Sequence, residues 1–212
     1  MNLQDKTRVK VCGITRAEDA LAAARLGVAA IGFVFYEKSP RAITAADALG
    51  IAQQLPPFLM KVGLFVNADA KTVFSSLATC PIDILQFHGD EDENYCRQFD
   101  VPYIKALRHQ STDETRSAAA QFASASAILL DSFEPGRFGG TGRSFNWQEI
   151  PELTQPLILA GGLTPANVGL AVAQVAPYAV DVSGGVEVMP GVKSPEKIQQ
   201  LMRAVAAADD LH

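Results

Sequence analysis

Leu157-Ile158-Leu159-Ala160-Gly161-Gly162-Leu163-Thr164-Pro165 is a short apolar run that breaks into a glycine pair and then reaches a proline. The run has the length and composition of a strand, and Thr164-Pro165 sets a cap residue before a proline at the first helical position. The pattern returns at Ala179-Val180-Asp181-Val182-Ser183-Gly184-Gly185, followed by a cap and proline at Ser194-Pro195. Six earlier runs share the strand character: Arg8–Cys12, Ala30–Phe35, Lys61–Val66, Asp83–Phe87, Tyr103–Leu107 and Ala127–Asp131. With Leu157–Ala160 and Ala179–Ser183 they make eight, at intervals of roughly 25 residues, most followed by a helical pattern. Serial strand–helix units of this kind predict a parallel sheet.

Helix starts support the count. Thr15-Arg16-Ala17-Glu18 reads as a capping box, and Ala20, Leu21, Ala24 and Leu26 follow at the spacing of a helix face turned to the sheet. The sixth unit is the exception. A long Gly-rich segment follows Asp131, and only Asn146–Leu153 is left to supply a short helix. An open doubly wound sheet carries its Gly-rich turn after the first strand. Here the Gly-rich turns follow strands six, seven and eight, which favours an α/β single-domain (β/α)8 TIM barrel over residues 1–212.

The chain has 212 residues, 48% of them hydrophobic, which is enough for one sizeable core. Its net charge of −5 offers no basic face, so nucleic acid is excluded as a partner, as is a polybasic membrane anchor. An anionic ligand must therefore be held by local donors. The polar start, residues 1–6, lacks the apolar core of a signal peptide, and Gly27–Tyr36 is too short to span a bilayer. A cytoplasmic protein is expected. Cys12, Cys80 and Cys96 are odd in number and not spaced as metal ligands, so neither a disulfide framework nor a metal is expected.

In a barrel the working end is the C-terminal edge of the strands. Strand alternation sends Val9 and Val11 toward the helices, and Lys10 and Cys12 into the barrel. A thiol at the end of strand one is a base only if a cation lowers its pKa, and Lys10, one residue pair below, is the candidate cation. The competing reading of Cys12 is a small buried hydrophobe. Asp131 closes Ala127-Ile128-Leu129-Leu130 and is not followed by a helix start, which favours a general acid or base over a cap. The glycine pairs Gly161-Gly162 and Gly184-Gly185 stand in the loops after strands seven and eight, where many barrels bind a phosphate on backbone N–H groups. Arg41 in Ser39-Pro40-Arg41 suits either a solvated charge or a bidentate carboxylate clamp. His88 and Asp181 also end strands, and His88 is as readily structural as functional. Gly139-Gly140-Thr141-Gly142 lacks the strand–helix context of a dinucleotide site.

These motifs, in order, resemble the phosphoribosylanthranilate isomerase family over nearly the whole chain. The matching pieces include Val9-Lys10-Val11-Cys12-Gly13-Ile14, Ser39-Pro40-Arg41, Leu85-Gln86-Phe87-His88-Gly89, Leu130-Asp131, Leu159-Ala160-Gly161-Gly162-Leu163, Asp181-Val182-Ser183 and Gly185-Val186-Glu187. The resemblance implies a cofactor-free Amadori rearrangement of N-(5′-phosphoribosyl)anthranilate in tryptophan biosynthesis. It implies Asp131 as the general acid, Cys12 as the general base and Arg41 as the anthranilate carboxylate clamp. Gly161, Gly162, Ser183 and Gly184 would hold the phosphate, with Lys10, His88 and Asp181 in support. The expected partner is a small phosphorylated substrate, and the expected state is a monomer or weak homodimer. Two positions depart from the family pattern: a second serine is usual where this chain has Gly184, and Lys-Asp is common where it has Lys193-Ser194. The alternatives are a related phosphosugar isomerase of histidine biosynthesis, a dual-substrate version, or a non-catalytic barrel that binds phosphorylated ligands. A pair of aspartates would be expected for the first, and Cys12 argues against it.

Overall fold

The computed structural model describes residues 6–109, 111–132 and 147–210. Along the chain run β1 (Arg8–Cys12), α1 (Ala17–Arg25), β2 (Ala30–Val34), α2 (Ala45–Ala52), β3 (Met60–Phe65), α3 (Ala70–Thr79), β4 (Ile84–Phe87) and α4 (Glu93–Arg97). The second half has β5 (Tyr103–His109), α5 (Thr112–Ala120), β6 (Ala127–Ser132), β7 (Leu157–Leu159), α6 (Val168–Val175), β8 (Ala179–Val182), the short hairpin β9 (Glu187–Met189) and β10 (Val192–Lys193), and α7 (Pro195–Asp209). Strands β1 to β8 are parallel neighbours in sequence order. The sheet closes because β1 also pairs with β8, Arg8 opposite Ala179 through Val11 opposite Val182. That pairing leaves no edge strand in the ring and rules out the open doubly wound sheet.

Alternation along each strand separates two kinds of core. Val9, Val11, Ile31 and Phe33 are buried against the helices, as are Leu85, Phe87, Ile128 and Leu130 further round. Val62, Ile104, Ala106, Leu129, Ile158 and Ala160 fill the interior. Lys10 and Cys12 face inward as the alternation predicts: Lys10 bonds across to β8, and Cys12 packs with Val34, Leu64 and Val66 above the interior layer.

Thr44, Asp69, Asp92, Ser111 and Ser194 cap their helices, each side chain accepting from the N–H three residues on. Two other expected caps are corrected. Thr15 does not cap α1; its hydroxyl donates instead to Gly191 O at 2.6 Å, a partner 176 residues away. Thr164 does not cap α6, which starts after Asn167; the Asn167 side chain accepts from Thr164 N and donates to Gly162 O, closing the glycine turn. The expected face of α1 also shifts. Asp19, Ala20 and Ala23 are buried while Leu21 is only half-buried, because Asp19 turns inward to accept from Lys193 N at 2.9 Å. In the sixth unit, the expected helix within Asn146–Leu153 is a single 3-10 turn at Trp147–Glu149. Gly139-Gly140-Thr141-Gly142 lies outside the described residues. No helix among the described residues is long and apolar enough to cross a membrane.

Candidate active site

A cavity of about 870 Å³ opens at the C-terminal mouth of the barrel. Cys12, Arg41, His88, Asp131, Asp181, Ser183 and the glycines 161, 162 and 184 all line it, so the residues collected from strand ends meet in one place. Lys10 is the exception: it lies in the floor beneath, 3% exposed. The order of the ring sets their relation. Going from β6 to β1 passes β7 and β8, so the two glycine loops stand between Asp131 and Cys12.

In the floor, Lys10 Nζ donates to Asp181 Oδ1 at 2.9 Å and is also within bonding reach of the Cys12 thiol. Burial works against the ammonium, but Asp181 and the thiol outweigh it and raise the Lys10 pKa. The thiol contradicts the expectation of a lowered pKa. Burial pushes Cys12 up; Lys10 and Lys193 pull it down, but Asp181 pushes with burial and cancels much of the ammonium field. Gly32 on β2 makes room for the group: a Cβ there would come within 2.8 Å of the sulfur and 3.3 Å of Lys10 Nζ.

Glu187 and Lys193 were not singled out as site residues, although both lie in or beside the matched motifs. Glu187 accepts from Arg41 Nε at 2.8 Å and Nη2 at 2.7 Å, from Lys193 Nζ at 2.6 Å and from Gly191 N at 3.2 Å. Burial alone would raise its carboxyl; the bonds from Arg41 and Lys193 overcome burial and hold it below the ordinary glutamate value. Lys193 is buried enough to fall below the ordinary lysine value, and it also donates to Cys12 O at 2.6 Å. The ammonium thereby ties the end of β1 to the hairpin after β8. The Nε–Nη2 side of the Arg41 fork is thus taken by Glu187. Nη1 and the second N–H of Nη2 form the edge that remains, still able to make two bonds.

The glycine loops approach closely. Gly161 and Gly162 have φ of +86° and +63°, a left-handed path that side chains rarely follow. Gly185 abuts the carbonyl of Leu163 so tightly that a Cβ would overlap it. Gly184 is different: a Cβ would meet Arg41 Nη2 at 3.4 Å, an ordinary contact, so the missing serine hydroxyl is a departure the site has space for.

On the other wall, His88 Nε2 lies 3.4 Å from Asp131 Oδ2, and its Nδ1 faces Gln86 Nε2 at 3.1 Å. The loop that carries His88 is fixed from behind. Buried Glu91 accepts from Asn67 N, Gly89 N and Lys105 Nζ, and Lys105 also donates to Gly89 O. Among the described residues, no group of three His, Cys, Asp or Glu side chains could hold a metal ion.

Arg41→Ala should raise KM by roughly 10–100-fold, the loss of a charge-assisted bond of ~1.5–3 kcal/mol, with kcat changed far less. Arg41→Lys should recover part of the loss, because an ammonium keeps the charge but not the planar edge. Steady-state kinetics decide: a fall in kcat with KM unmoved would exclude a binding clamp.

A family model described as N-(5′-phosphoribosyl)anthranilate (PRA) isomerase matches residues 9–204. The N-(5′-phosphoribosyl)anthranilate isomerase of Pseudomonas putida (strain GB-1) is 54% identical over 202 residues, covering 95% of this chain and 98% of that one. The crystal structure of phosphoribosyl anthranilate isomerase from Thermotoga maritima resembles this fold with a TM-score of 0.86 at 36% identity, covering 95% of this chain and 99% of that one. A structure of such an isomerase in complex with reduced 1-(o-carboxyphenylamino)-1-deoxyribulose 5-phosphate has a TM-score of 0.82 at 35% identity, with the same coverage.

Proposed function

The chain belongs to the phosphoribosylanthranilate isomerase family, and on that premise we propose how its barrel mouth performs the reaction. The reaction is the Amadori rearrangement of N-(5′-phosphoribosyl)anthranilate to 1-(2-carboxyphenylamino)-1-deoxyribulose 5-phosphate, a step of tryptophan biosynthesis. One observation carries the assignment of roles: two glycine loops suited to an anion stand between a strand-end carboxyl, Asp131, and a strand-end thiol, Cys12.

With the phosphate on Gly161, Gly162, Ser183 and Gly184 and the carboxylate on the free edge of Arg41, the sugar spans from acid to base. Asp131 gives its proton to the ring oxygen as the C1′–O bond breaks and the nitrogen lone pair forms a C1′=N iminium. The Cys12 thiol gives its own proton to solvent, and the resulting thiolate takes the C2′ proton; the electron pair left behind flows into C1′=C2′ and neutralises the nitrogen. The enol so formed becomes the ketone. The order matters for a thiol whose pKa burial raises. The iminium is a cation, and its appearance beside the sulfur adds to the pull of Lys10 and Lys193 and favours release of the thiol proton.

The same reading takes residues 1–212 as one barrel unit that needs no cofactor and works in the cytoplasm as a monomer or weak homodimer. Fluorescence of the anthranilate group should fall as enzyme consumes the substrate without added metal or cofactor. Inorganic phosphate should inhibit competitively, raising apparent KM at constant kcat. A persistent signal would remove the activity, and non-competitive inhibition would remove the phosphate site.

A further inference from the structure

Gln86 has no role in the chemistry so far, yet it is fully buried and lines the cavity. We propose that Gln86 is a positioning residue for this reaction: its amide donates to Nδ1 of His88 and so fixes on Nε2 the ring proton that His88 presents to Asp131. The inference rests on the assignment of Asp131 as the acid.

An amide nitrogen can only donate, so Nδ1, 3.1 Å away, must offer its lone pair. A neutral imidazole with a bare Nδ1 carries its proton on Nε2, which points to Asp131 Oδ2 at 3.4 Å. At 3.4 Å the contact is long for a hydrogen bond, and catalytic bonds of this kind tighten around substrate. The Nε2–H is thereby set against Oδ2 of the group that, as the proposed acid, gives a proton to the substrate. Once that proton is given away, the Nε2–H faces a carboxylate and stabilises it. The opposite tautomer would set a lone pair against that carboxylate.

The amide orientation follows from what it leaves unpaired. As it stands, Gln86 Oε1 has no partner among the described residues. Turned over, the amide would bury two N–H donors there and would demand a proton on His88 Nδ1. A buried acceptor without a partner is a cost that a purely structural residue would not carry. The charged surroundings leave the assignment to Gln86. Asp181 feels both His88 and Asp131 but is held by Lys10, with the Cys12 thiol beside that ammonium. On β5, Lys105 is committed to Glu91, while Arg108 stands in register with Asp131 on the inward face.

The test reads the tautomer directly. In protein carrying ¹⁵N-labelled histidine, only three imidazoles are present, and His88 is identified by its loss in His88→Asn. Wild type at neutral pH should show His88 protonated at Nε2 and bare at Nδ1. Gln86→Met, close in shape, should give mixed tautomers and lower kcat by ~10–10²-fold, the scale of a misplaced catalytic group, with KM within about threefold. Its unfolding temperature should stay level or rise, since Met strands no acceptor. Gln86→Glu should move the proton to Nδ1. A wild-type His88 protonated at Nδ1 overturns the proposal, as does Gln86→Met with unchanged kcat. So does a Gln86→Met variant that loses kcat together with stability while keeping the tautomer. If the tautomers behave as stated but wild type fails to consume substrate, the reaction assignment fails instead.

Discussion

Asp131→Asn should lower kcat by about 10²–10⁴-fold, the usual worth of a positioned general acid, and leave KM nearly unchanged. The substitution is chosen because it removes so little else. Asn matches Asp in size, its carbonyl can still accept from His88 Nε2, and the position at the end of β6 is 5% exposed, so no new surface is created. What disappears is the transferable proton. Asp181 provides the contrast. It is also buried, but it neutralises Lys10, and Asp181→Asn would leave an uncompensated ammonium in the barrel floor, with a penalty in folding as well as rate. Kinetics and thermal unfolding on both variants separate the two. Normal kcat in Asp131→Asn would remove it from the acid role.

Cys12→Ala should cost a similar 10²–10⁴-fold in kcat, and Cys12→Ser should not rescue it, because an alcohol is a far weaker base than a thiolate. The fold should survive, since the side chain is small and its packing partners Val34, Leu64 and Val66 remain. The pH profile supplies a second check. Burial raises the thiol pKa, so the base form is scarce at low pH and grows as pH rises. Wild-type kcat/KM, which reports the free enzyme, should therefore climb through an apparent pKa above the ordinary thiol value near 8.5. The residual activity of Cys12→Ala should lack that limb. A profile that levels off below pH 7 would mean that another group is the base, or that the thiol is ionised in the free enzyme.

Most strands were legible because local composition and spacing decide them. Each run is short, apolar and punctuated, and the β2 and β6 boundaries read from sequence differ from those observed by one residue. Closure was also legible, from the late position of the glycine turns. What escaped depends on partners far along the chain. Thr15 has a perfect local cap sequence, yet Gly191 O outcompetes the local N–H. Leu21 has the spacing of the buried face of α1, yet Asp19 is drawn inward by Lys193 N and shifts that face. Glu187 occupies one side of the Arg41 fork, a partner 146 residues away, and Gln86 becomes visible only once His88 is seen beside it. Which strand-end residues line the cavity was readable, but the pairing that tunes them was not.

The seam between the first and last strands has a consequence for how the protein comes into being. Lys10 meets Asp181 across 171 residues, Lys193 meets the Cys12 carbonyl across 181, and Thr7 meets Asp209 across 202. Contacts so distant in sequence form late, because the intervening chain must be ordered before they offset its lost freedom. The first two of these contacts hold the surroundings of the thiol. A chain emerging from synthesis, or one stalled with seven strands paired, has helices and apolar layers but no assembled site. Catalytic competence in this barrel is a report that its two ends have met.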